Sequence, residues 1–280
     1  MKTIRNLKQM SGFSRQIKHR AKSLGLVPTM GALHAGHLGL IRKARKENDF
    51  VVVSIFVNPV QFGPKEDLKN YPRNLKHDEK LCKKAGVDAV FYPDAADMYP
   101  MGYKTYVEVE GFSDCLCGKS RPGHFKGVTT VVTKLFNILQ PDTAYFGQKD
   151  AQQALIIKKM VADLNIPVKV KVMPTLREKD GLAMSSRNVH LNKQERKDAL
   201  GLYQSLKLAR TLFKKGVRDS NKVISVMKGL IVKKQTAKID YVCVMDSQTL
   251  KPVKKIKNKC LVGLAVRVGK TRLIDNIILG

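Results

Sequence analysis

The chain has 280 residues, of which 43% are hydrophobic and 27% charged, and its net charge at pH 7 is +29. This length fits one large α/β domain, or a medium-sized domain with a smaller one. The hydrophobic content excludes an intrinsically disordered or collagen-like chain. The longest apolar run, residues 50–57, is far shorter than the roughly 20 residues that span a bilayer, and the basic N-terminus lacks the apolar core of a secretory signal. We therefore expect a soluble, cytoplasmic protein with no membrane partner.

Cysteine usage agrees with that expectation. The five cysteines form an odd set, which argues against a disulfide scaffold. Cys115 and Cys117 are close in sequence, but no second Cys or His pair follows at the spacing of a zinc site. We predict reduced thiols and no metal-ligating residues.

The basic excess is densest in the C-terminal part, as at Lys254, Lys255, Lys257 and Lys259. Such a charge is typical either of nucleic-acid binding or of solvated helix faces. No aromatic-rich β motif, zinc finger or glycine-arginine segment accompanies the lysines. We favour the solvated faces, so nucleic acid is not expected as a partner despite the charge of +29.

The first two-thirds of the chain alternates predicted strands and helices. Runs of apolar and β-branched residues predict strands at 24–28, 50–57, 89–92, 143–146 and 168–172. Amphipathic spacing predicts helices at 37–47, 75–85, 128–139 and 151–164. This alternation predicts an α/β fold with a doubly wound parallel sheet.

The pattern changes after residue 174. Two helices, 193–215 and 222–234, precede three short apolar runs at 240–244, 261–268 and 273–279. This succession is typical of a small α+β domain with antiparallel strands. The sequence therefore predicts two domains, 1–174 and 175–280.

The segment between the first predicted strand and helix carries the strongest chemical signal. It runs Pro28-Thr29-Met30-Gly31-Ala32-Leu33-His34-Ala35-Gly36-His37. Ligands of parallel sheets bind at the carboxyl ends of strands, and a helix N-terminus there attracts phosphate. The glycines allow close backbone approach, and His34 and His37 can donate hydrogen bonds to phosphate oxygens. The alternative for the two histidines is helix capping alone.

A second segment, Met184-Ser185-Ser186-Arg187-Asn188, supplies two hydroxyls and a guanidinium, which suit the oxygens of a departing pyrophosphate. The first segment resembles the H-x-G-H signature of the nucleotidyltransferase superfamily that includes class I aminoacyl-tRNA synthetases. A basic, serine-containing loop is the second signature of that superfamily. The resemblance implies a Rossmann-like, class I synthetase-like first domain.

Further motifs narrow the resemblance. They are FVNPVQFG at 56–63, RPGHFKGV at 121–128, YFGQKDAQQ at 145–153 and GKTRLIDN at 269–276. In this order, and over nearly the whole chain, they resemble the pantoate–β-alanine ligase family. Two other interpretations stay open at this point: another H-x-G-H adenylyltransferase, and a basic nucleic-acid-binding protein.

The resemblance implies an ATP-dependent ligase of coenzyme A biosynthesis. Members join pantoate to β-alanine through a pantoyl adenylate and release AMP and pyrophosphate, with Mg²⁺ accompanying ATP. No protein nucleophile is required, so catalysis must come from positioning and electrostatics. The family also implies a homodimer, a first domain that binds nucleotide and pantoate, and a second domain that acts as a lid.

Site residues follow from the resemblance position by position. The catalytic set is His34, His37, Lys149, Ser185, Ser186 and Arg187; we expect His37, usually assigned as a general acid, to act mainly as a donor to phosphate. The nucleotide set is Met30, Gly31, Ala32, Leu33, His34, Ala35, Gly36, His37, Gly147, Gln148, Lys149, Asp150, Leu176, Met184, Ser185, Ser186 and Arg187. The substrate set is Gln61, Gln153, Asn58, Arg121 and His124. Asp78 and Glu79 are the nearest acidic candidates for Mg²⁺, but we interpret them as a solvated helix face.

Overall fold

The structure is a computed structural model that describes residues 1–64 and 66–280. The chain divides into two compact units, one formed by Met1–Gly147 and Gln153–Pro174 and the other by Gln148–Gln152 and Thr175–Gly280. The short segment 148–152 belongs to the second unit, which no sequence pattern indicated. Across the described residues, no helix is both long and apolar enough to cross a bilayer.

The first unit contains a six-stranded parallel sheet with helices between its strands. Its strands are β1 (Lys2–Ile4), β2 (Leu24–Thr29), β3 (Phe50–Ile55), β4 (Ala89–Phe91), β5 (Thr143–Gly147) and β6 (Lys169–Met173). The helices of this part of the chain are α1 (Leu7–His19), α2 (Ala35–Glu47), α3 (Leu75–Lys84), α4 (Ala95–Met98), α5 (Cys117–Ser120), α6 (His124–Leu139) and α7 (Ala151–Asp163). The predicted fold class is confirmed.

Both faces of this sheet are buried, as a doubly wound fold requires. On adjacent positions of β2, Leu26 and Val27 are both fully buried, and so are Val52 and Val53 on β3. Successive strand residues point to opposite faces, so each face has its own apolar layer. The strand order β1-β4-β3-β2-β5-β6 reverses direction between β2 and β5, which makes their carboxyl ends the expected ligand position.

Two elements at the N-terminus were not predicted. Helix α1 begins after Asn6, whose side chain accepts from the backbone N–H of Gln9, and it buries Met10 and Ile17. Strand β1 pairs with β4 at the edge of the sheet. A three-residue strand is too short to show a pattern, and it forms because β4, far along the chain, supplies its hydrogen-bond partners.

The second unit is a three-stranded antiparallel sheet covered by two helices. The helices are α8 (Lys193–Lys214) and α9 (Ser220–Ile231), and the strands, in spatial order, are β7 (Ala237–Asp246), β8 (Cys260–Val268) and β9 (Thr271–Leu279). Leu202 and Leu206 of α8 and Met227 of α9 pack in one core with Val262 and Leu264 of β8. The predicted antiparallel sheet is confirmed.

Leu206→Ala tests this packing. Leu206 is fully buried in the core of the second unit, so truncation removes transfer energy and leaves a cavity, which together cost about 2–5 kcal/mol. Urea unfolding followed by circular dichroism measures the loss. Gln204→Ala, at an exposed position of the same helix, is the control and should stay within about 0.5 kcal/mol of the parent. Equal stability of the two variants would contradict the packing of α8.

Candidate active site

The turn after β2 is held in an unusual backbone conformation by a buried carboxylate. Gly31 and Ala32 have φ values of 81° and 49°, both in the left-handed region. The carboxylate of Asp78 accepts from the backbone N–H of Ala32 at 2.9 Å and of Leu33 at 2.8 Å. A side chain at Gly31 would place its Cβ 3.0 Å from both Asp78 Oδ2 and Ile55 Cγ2. The turn therefore requires glycine at position 31 and an acceptor at position 78.

His34 and His37 both cap helix α2, each through the Nδ1 atom of its own ring. His34 Nδ1 accepts from the backbone N–H of Gly36 at 3.1 Å, and His37 Nδ1 accepts from the backbone N–H of His34 at 3.3 Å. The ring centroids are 4.1 Å apart. Because Nδ1 is the acceptor, the proton of each neutral ring lies on Nε2, which makes Nε2 a donor. Capping therefore accounts for Nδ1 of both rings, and donation to phosphate by Nε2 stays a prediction.

Asn58 and Gln61 lie together after β3, where Asn58 caps a short 3₁₀ helix, Pro59–Gln61. Asn58 is buried, and its Nδ2 donates to Gln61 Oε1 at 3.1 Å and to the backbone carbonyl of Gly127 at 3.0 Å. Gln61 Nε2 lies 3.0 Å from Met30 Sδ. A Cβ at Gly127 would lie 2.6 Å from Gln61 Cα, so glycine in α6 permits this approach. Three predicted residues of the first unit, Met30, Asn58 and Gln61, therefore meet.

Arg121 and His124 join the same cluster through a carboxylate that sequence reasoning missed. Arg121 donates to Glu66 through Nε and Nη2, at 2.6 Å each, and its Nη1 lies 2.9 Å from His124 Nε2. A guanidinium only donates, so His124 accepts at Nε2 and donates from Nδ1 to the Gln61 carbonyl, 2.9 Å away. Burial raises the pKa of Glu66, but the hydrogen bonds and charge of Arg121 outweigh it and lower that pKa below its usual value.

The solvated-face interpretation of residues 78 and 79 is wrong for Asp78. This side chain is 1% exposed because α3 turns it toward the turn after β2. Burial raises its pKa, and the hydrogen bonds from Leu33 and Ala32 oppose that shift. Glu79 is half-buried and accepts from Thr3 Oγ1 at 2.5 Å.

The Lys149 segment of the second unit is a 3₁₀ turn, Gln148–Asp150, between β5 and α7. Lys149 Nζ lies 3.7 Å from Asp150 Oδ2, and the Lys149 side chain is largely buried. Of the neighbouring predicted residues, Gly147 ends β5 and Gln153 lies in the first turns of α7, and both are half-buried.

The serine-containing loop of the second unit follows a small hairpin. An isolated antiparallel bridge joins Arg177 to Ala183, and the turn between them includes Gly181 at φ 100°. A Cβ at Gly181 would lie 2.2 Å from Tyr203 Cδ1, so the ring and a side chain at 181 cannot coexist. Predicted nucleotide residues Leu176 and Met184 flank this hairpin and are joined by a backbone hydrogen bond of 3.0 Å.

Ser185 caps the 3₁₀ helix Ser186–His190 by accepting from the backbone N–H of Arg187 at 3.2 Å. Asn188 Nδ2 donates to Glu178 Oε1 at 2.7 Å and to the Ala183 carbonyl at 3.1 Å. The hairpin and the 3₁₀ helix are thus tied to each other. Ser185, Ser186 and Arg187 are half-buried, and their shared role at the phosphates stays a prediction.

Comparison with known proteins decides the family. A model of the pantoate-beta-alanine ligase family matches residues 2–278. The chain belongs to that family. The chain is 55% identical to a pantothenate synthetase of Thermotoga neapolitana over 280 residues, which is 100% of both proteins.

Solved structures agree with this assignment. The crystal structure of the pantothenate synthetase of Thermus thermophilus matches with a TM-score of 0.94 at 42% identity, over 99% of each chain. A pantoate-β-alanine ligase of Francisella tularensis, complexed with β-γ ATP and β-alanine, matches with a TM-score of 0.82 at 37% identity, over 99% of this chain and 97% of that one.

The family predicted from the motifs is therefore confirmed, and the chain is a ligase that joins pantoate to β-alanine. The matches do not favour the two alternatives, another adenylyltransferase or a nucleic-acid-binding protein. The identity of the relatives spans the second unit as well as the first, where the motifs are concentrated.

Asp78→Asn tests how the ligase holds the turn after β2. The amide keeps one acceptor oxygen but turns an NH₂ toward the second backbone N–H, and a buried N–H without a partner costs about 1–3 kcal/mol. We expect turnover, measured as AMP formation with pantoate and β-alanine, to fall about 10-fold or more. Glu79→Gln, on the same helix, is the control and should keep near-normal turnover. Normal turnover of Asp78→Asn would show that the turn does not need two acceptors.

Proposed function

We propose that the ligase forms pantothenate in two steps. The carboxylate of pantoate attacks the α-phosphorus of ATP, which gives a pantoyl adenylate and pyrophosphate. The amine of β-alanine then attacks the acyl carbon, which gives pantothenate and AMP. The β-γ ATP and β-alanine in the structure of the Francisella tularensis relative support these substrates.

One observation carries the first step: two histidines cap α2 through Nδ1 and present Nε2 as a donor. The helix N-terminus adds its own positive dipole at the end of β2, a central strand of the sheet. His34 and His37 would donate to phosphate oxygens as negative charge develops on the pentavalent phosphorus. A proton shuttle through His37 is not required, because attack by a carboxylate releases no proton.

We propose that the cluster around Gln61 binds pantoate. A glutamine amide both donates and accepts, which matches the hydroxyls and carboxylate of pantoate, and Gln153 would serve in the same way. Asn58 holds the Gln61 side chain, and His124 holds its backbone carbonyl. Arg121 contributes to this cluster through its contact with His124, and Glu66 fixes the guanidinium.

We propose that two segments of the second unit bind the phosphates of ATP. Lys149, Ser185, Ser186 and Arg187 would stabilise the triphosphate charge and the departing pyrophosphate. Gly147 and Asp150 would contact the ribose, with Asp150 accepting from its hydroxyls. The segments Met30–Leu33 and Ala35–Gly36 would contact the nucleotide, and Leu176 and Met184 would pack against it.

Mg²⁺ would accompany ATP and offset its charge. Neither nearby acidic side chain fits as a ligand, because Asp78 accepts two backbone N–H bonds and Glu79 accepts from Thr3. Among the residues that the structure describes, no three His, Cys, Asp or Glu side chains come together as a metal site. We propose that phosphate oxygens and water hold the ion.

We further propose a cytoplasmic homodimer. The segment 103–109 of the first unit belongs to no helix or strand and is mostly exposed, with Tyr106 43% exposed and Met101 before it fully exposed. Covering such apolar side chains favours association of two copies through this unit. The five cysteines are free thiols, which suits a reducing compartment.

Isotope exchange tests the order of the steps. With ATP and pantoate alone, labelled pyrophosphate should exchange into ATP, because the adenylate forms before β-alanine reacts. The measurement is radioactivity in ATP with and without β-alanine, and a reaction without pantoate is the control. A strict requirement for β-alanine would contradict the adenylate mechanism.

Arg187→Ala tests protection of the adenylate from water. If the loop at 185–188 covers the intermediate, its loss should raise the ATP consumed per pantothenate formed, since an exposed acyl adenylate hydrolyses. Hydrogen exchange over residues 177–190 should also slow in the parent when ATP and pantoate bind. His190→Ala, at an exposed position of the same 3₁₀ helix, is the control. A slower variant with one ATP per product would mean that Arg187 stabilises charge without excluding water.

A further inference from the structure

Strand β9 carries two adjacent buried polar residues, Asp275 and Asn276, which are 2% and 6% exposed. The apolar residues Leu273, Ile277 and Leu279 of this strand belong to the core of the second unit. A buried carboxylate and amide lose solvation energy unless other groups satisfy them. Their partners show what the pair does, and all of those partners belong to the second unit.

The Asn276 side chain forms its hydrogen bonds with the Lys149 segment. Its Nδ2 donates to the backbone carbonyls of Gln148 and Lys149, at 2.9 Å each, and its Oδ1 accepts from Gln148 Nε2 at 3.1 Å. Both amide donors and the acceptor are therefore used on a turn about 128 positions away in sequence. This bonding fixes the backbone from which the Lys149 side chain extends.

Asp275 holds the hairpin before the serine-containing loop. Its two oxygens accept from Arg177 Nη1 at 2.6 Å and Nη2 at 2.9 Å. Arg177 Nη1 also donates to the Gly181 carbonyl at 3.2 Å, and the guanidinium lies 4.0 Å from the centroid of the Tyr203 ring. A forked pair of this kind restricts both position and orientation. It fixes the base of the hairpin that leads into Ser185.

We infer that Asp275 and Asn276 are positioning residues, which set the Lys149 segment and the Ser185–Arg187 segment at a fixed separation for the phosphates of ATP. The Cα atoms of Asp275 and Asn276 are about 3.8 Å apart. They lie on β9, which pairs with β8 from Thr271 to Leu279. The Lys149 segment and the hairpin before Ser185, which are distant in sequence, are thereby both anchored to the same position of β9. This inference rests on the roles proposed above for Lys149 and Arg187.

Single variants give the first measurement. Asn276→Ala removes the bonds to both carbonyls, and Asp275→Asn keeps the shape but removes the charge that Arg177 pairs with. We expect each to lower kcat/KM for ATP about 10-fold or more while KM for β-alanine stays within about 2-fold. Asp240→Asn is the control, since Arg272 of the same strand donates from Nε and Nη2 to a single oxygen of the exposed Asp240, at 2.9 and 2.7 Å. The kcat/KM of this variant should change by less than about 2-fold.

Double-mutant cycles separate positioning from general destabilisation. Asn276→Ala should lose most of its effect, to less than about 2-fold, when Lys149 is already alanine, because there is no ammonium left to position. Asp275→Asn should likewise lose its effect in an Arg187→Ala background. The crossed pairs, Asn276 with Arg187 and Asp275 with Lys149, should be nearly additive. Thermal unfolding of every variant establishes that it is folded at the assay temperature, and Asn276→Asp, an isostere, replaces Asn276→Ala in the cycle if the latter is not.

Each contrary outcome has a separate meaning. Near-normal kcat/KM for Asn276→Ala and Asp275→Asn, or equal losses in every background, would overturn the inference and leave the proposed roles of Lys149 and Arg187 intact. Near-normal turnover of Lys149→Ala and Arg187→Ala would overturn those proposed roles as well.

Discussion

The first unit's site depends on one buried carboxylate. Asp78 accepts from two consecutive backbone N–H groups in a turn that passes through the left-handed conformations of Gly31 and Ala32. A left-handed alanine is unfavourable by itself, so the turn persists only because its surroundings impose it. This turn also sets where α2 begins. His34 is the N-cap residue just before the helix, and His37 lies in its first turn. Asp78 therefore positions the N-terminal end of α2, where we propose that phosphate binds, without needing to touch a ligand.

The histidines show how one residue can stabilise the fold and also carry a proposed chemical role. A helix N-terminus has backbone donors without partners inside the helix, and Nδ1 of each ring satisfies one of them. The same bond fixes the tautomer, so that Nε2 carries the proton of the neutral ring. His124 shows the opposite arrangement, because Arg121 occupies its Nε2 and leaves Nδ1 to donate. Three imidazoles thus have defined protonation sites before any substrate binds.

Much of the fold follows from local sequence patterns, whereas most of the elements that were not predicted depend on contacts distant in sequence. Periodicity predicted the long helices and buried strands to within a few residues, and α2 starts two residues early because His34 caps it. The short strand β1 exists only through its pairing with β4. The motifs predicted the family, but they did not predict that Glu66 and Asp78 hold other site residues in place. Glu66 accepts from the Arg121 guanidinium, 55 positions away, and Asp78 accepts from backbone N–H groups 45 or more positions away. No spacing rule in one sequence connects a carboxylate to donors at such distances.

Other turns near the proposed site are also held by single side chains from distant parts of the sequence. Strand ladders fix the sheets, but the turns beyond them have backbone groups that no ladder reaches. Asp78 satisfies donors after β2, Asn276 satisfies acceptors in the Lys149 turn, and Asn188 joins the serine-containing loop to its hairpin. Each of these bonds is made by a single side chain from another element, so nothing nearby replaces it when it is lost. The sheets and cores would survive such a loss, because they are held by many contacts. The cost of changing these residues should therefore appear mainly in the placement of reacting groups, and less in the free energy of unfolding.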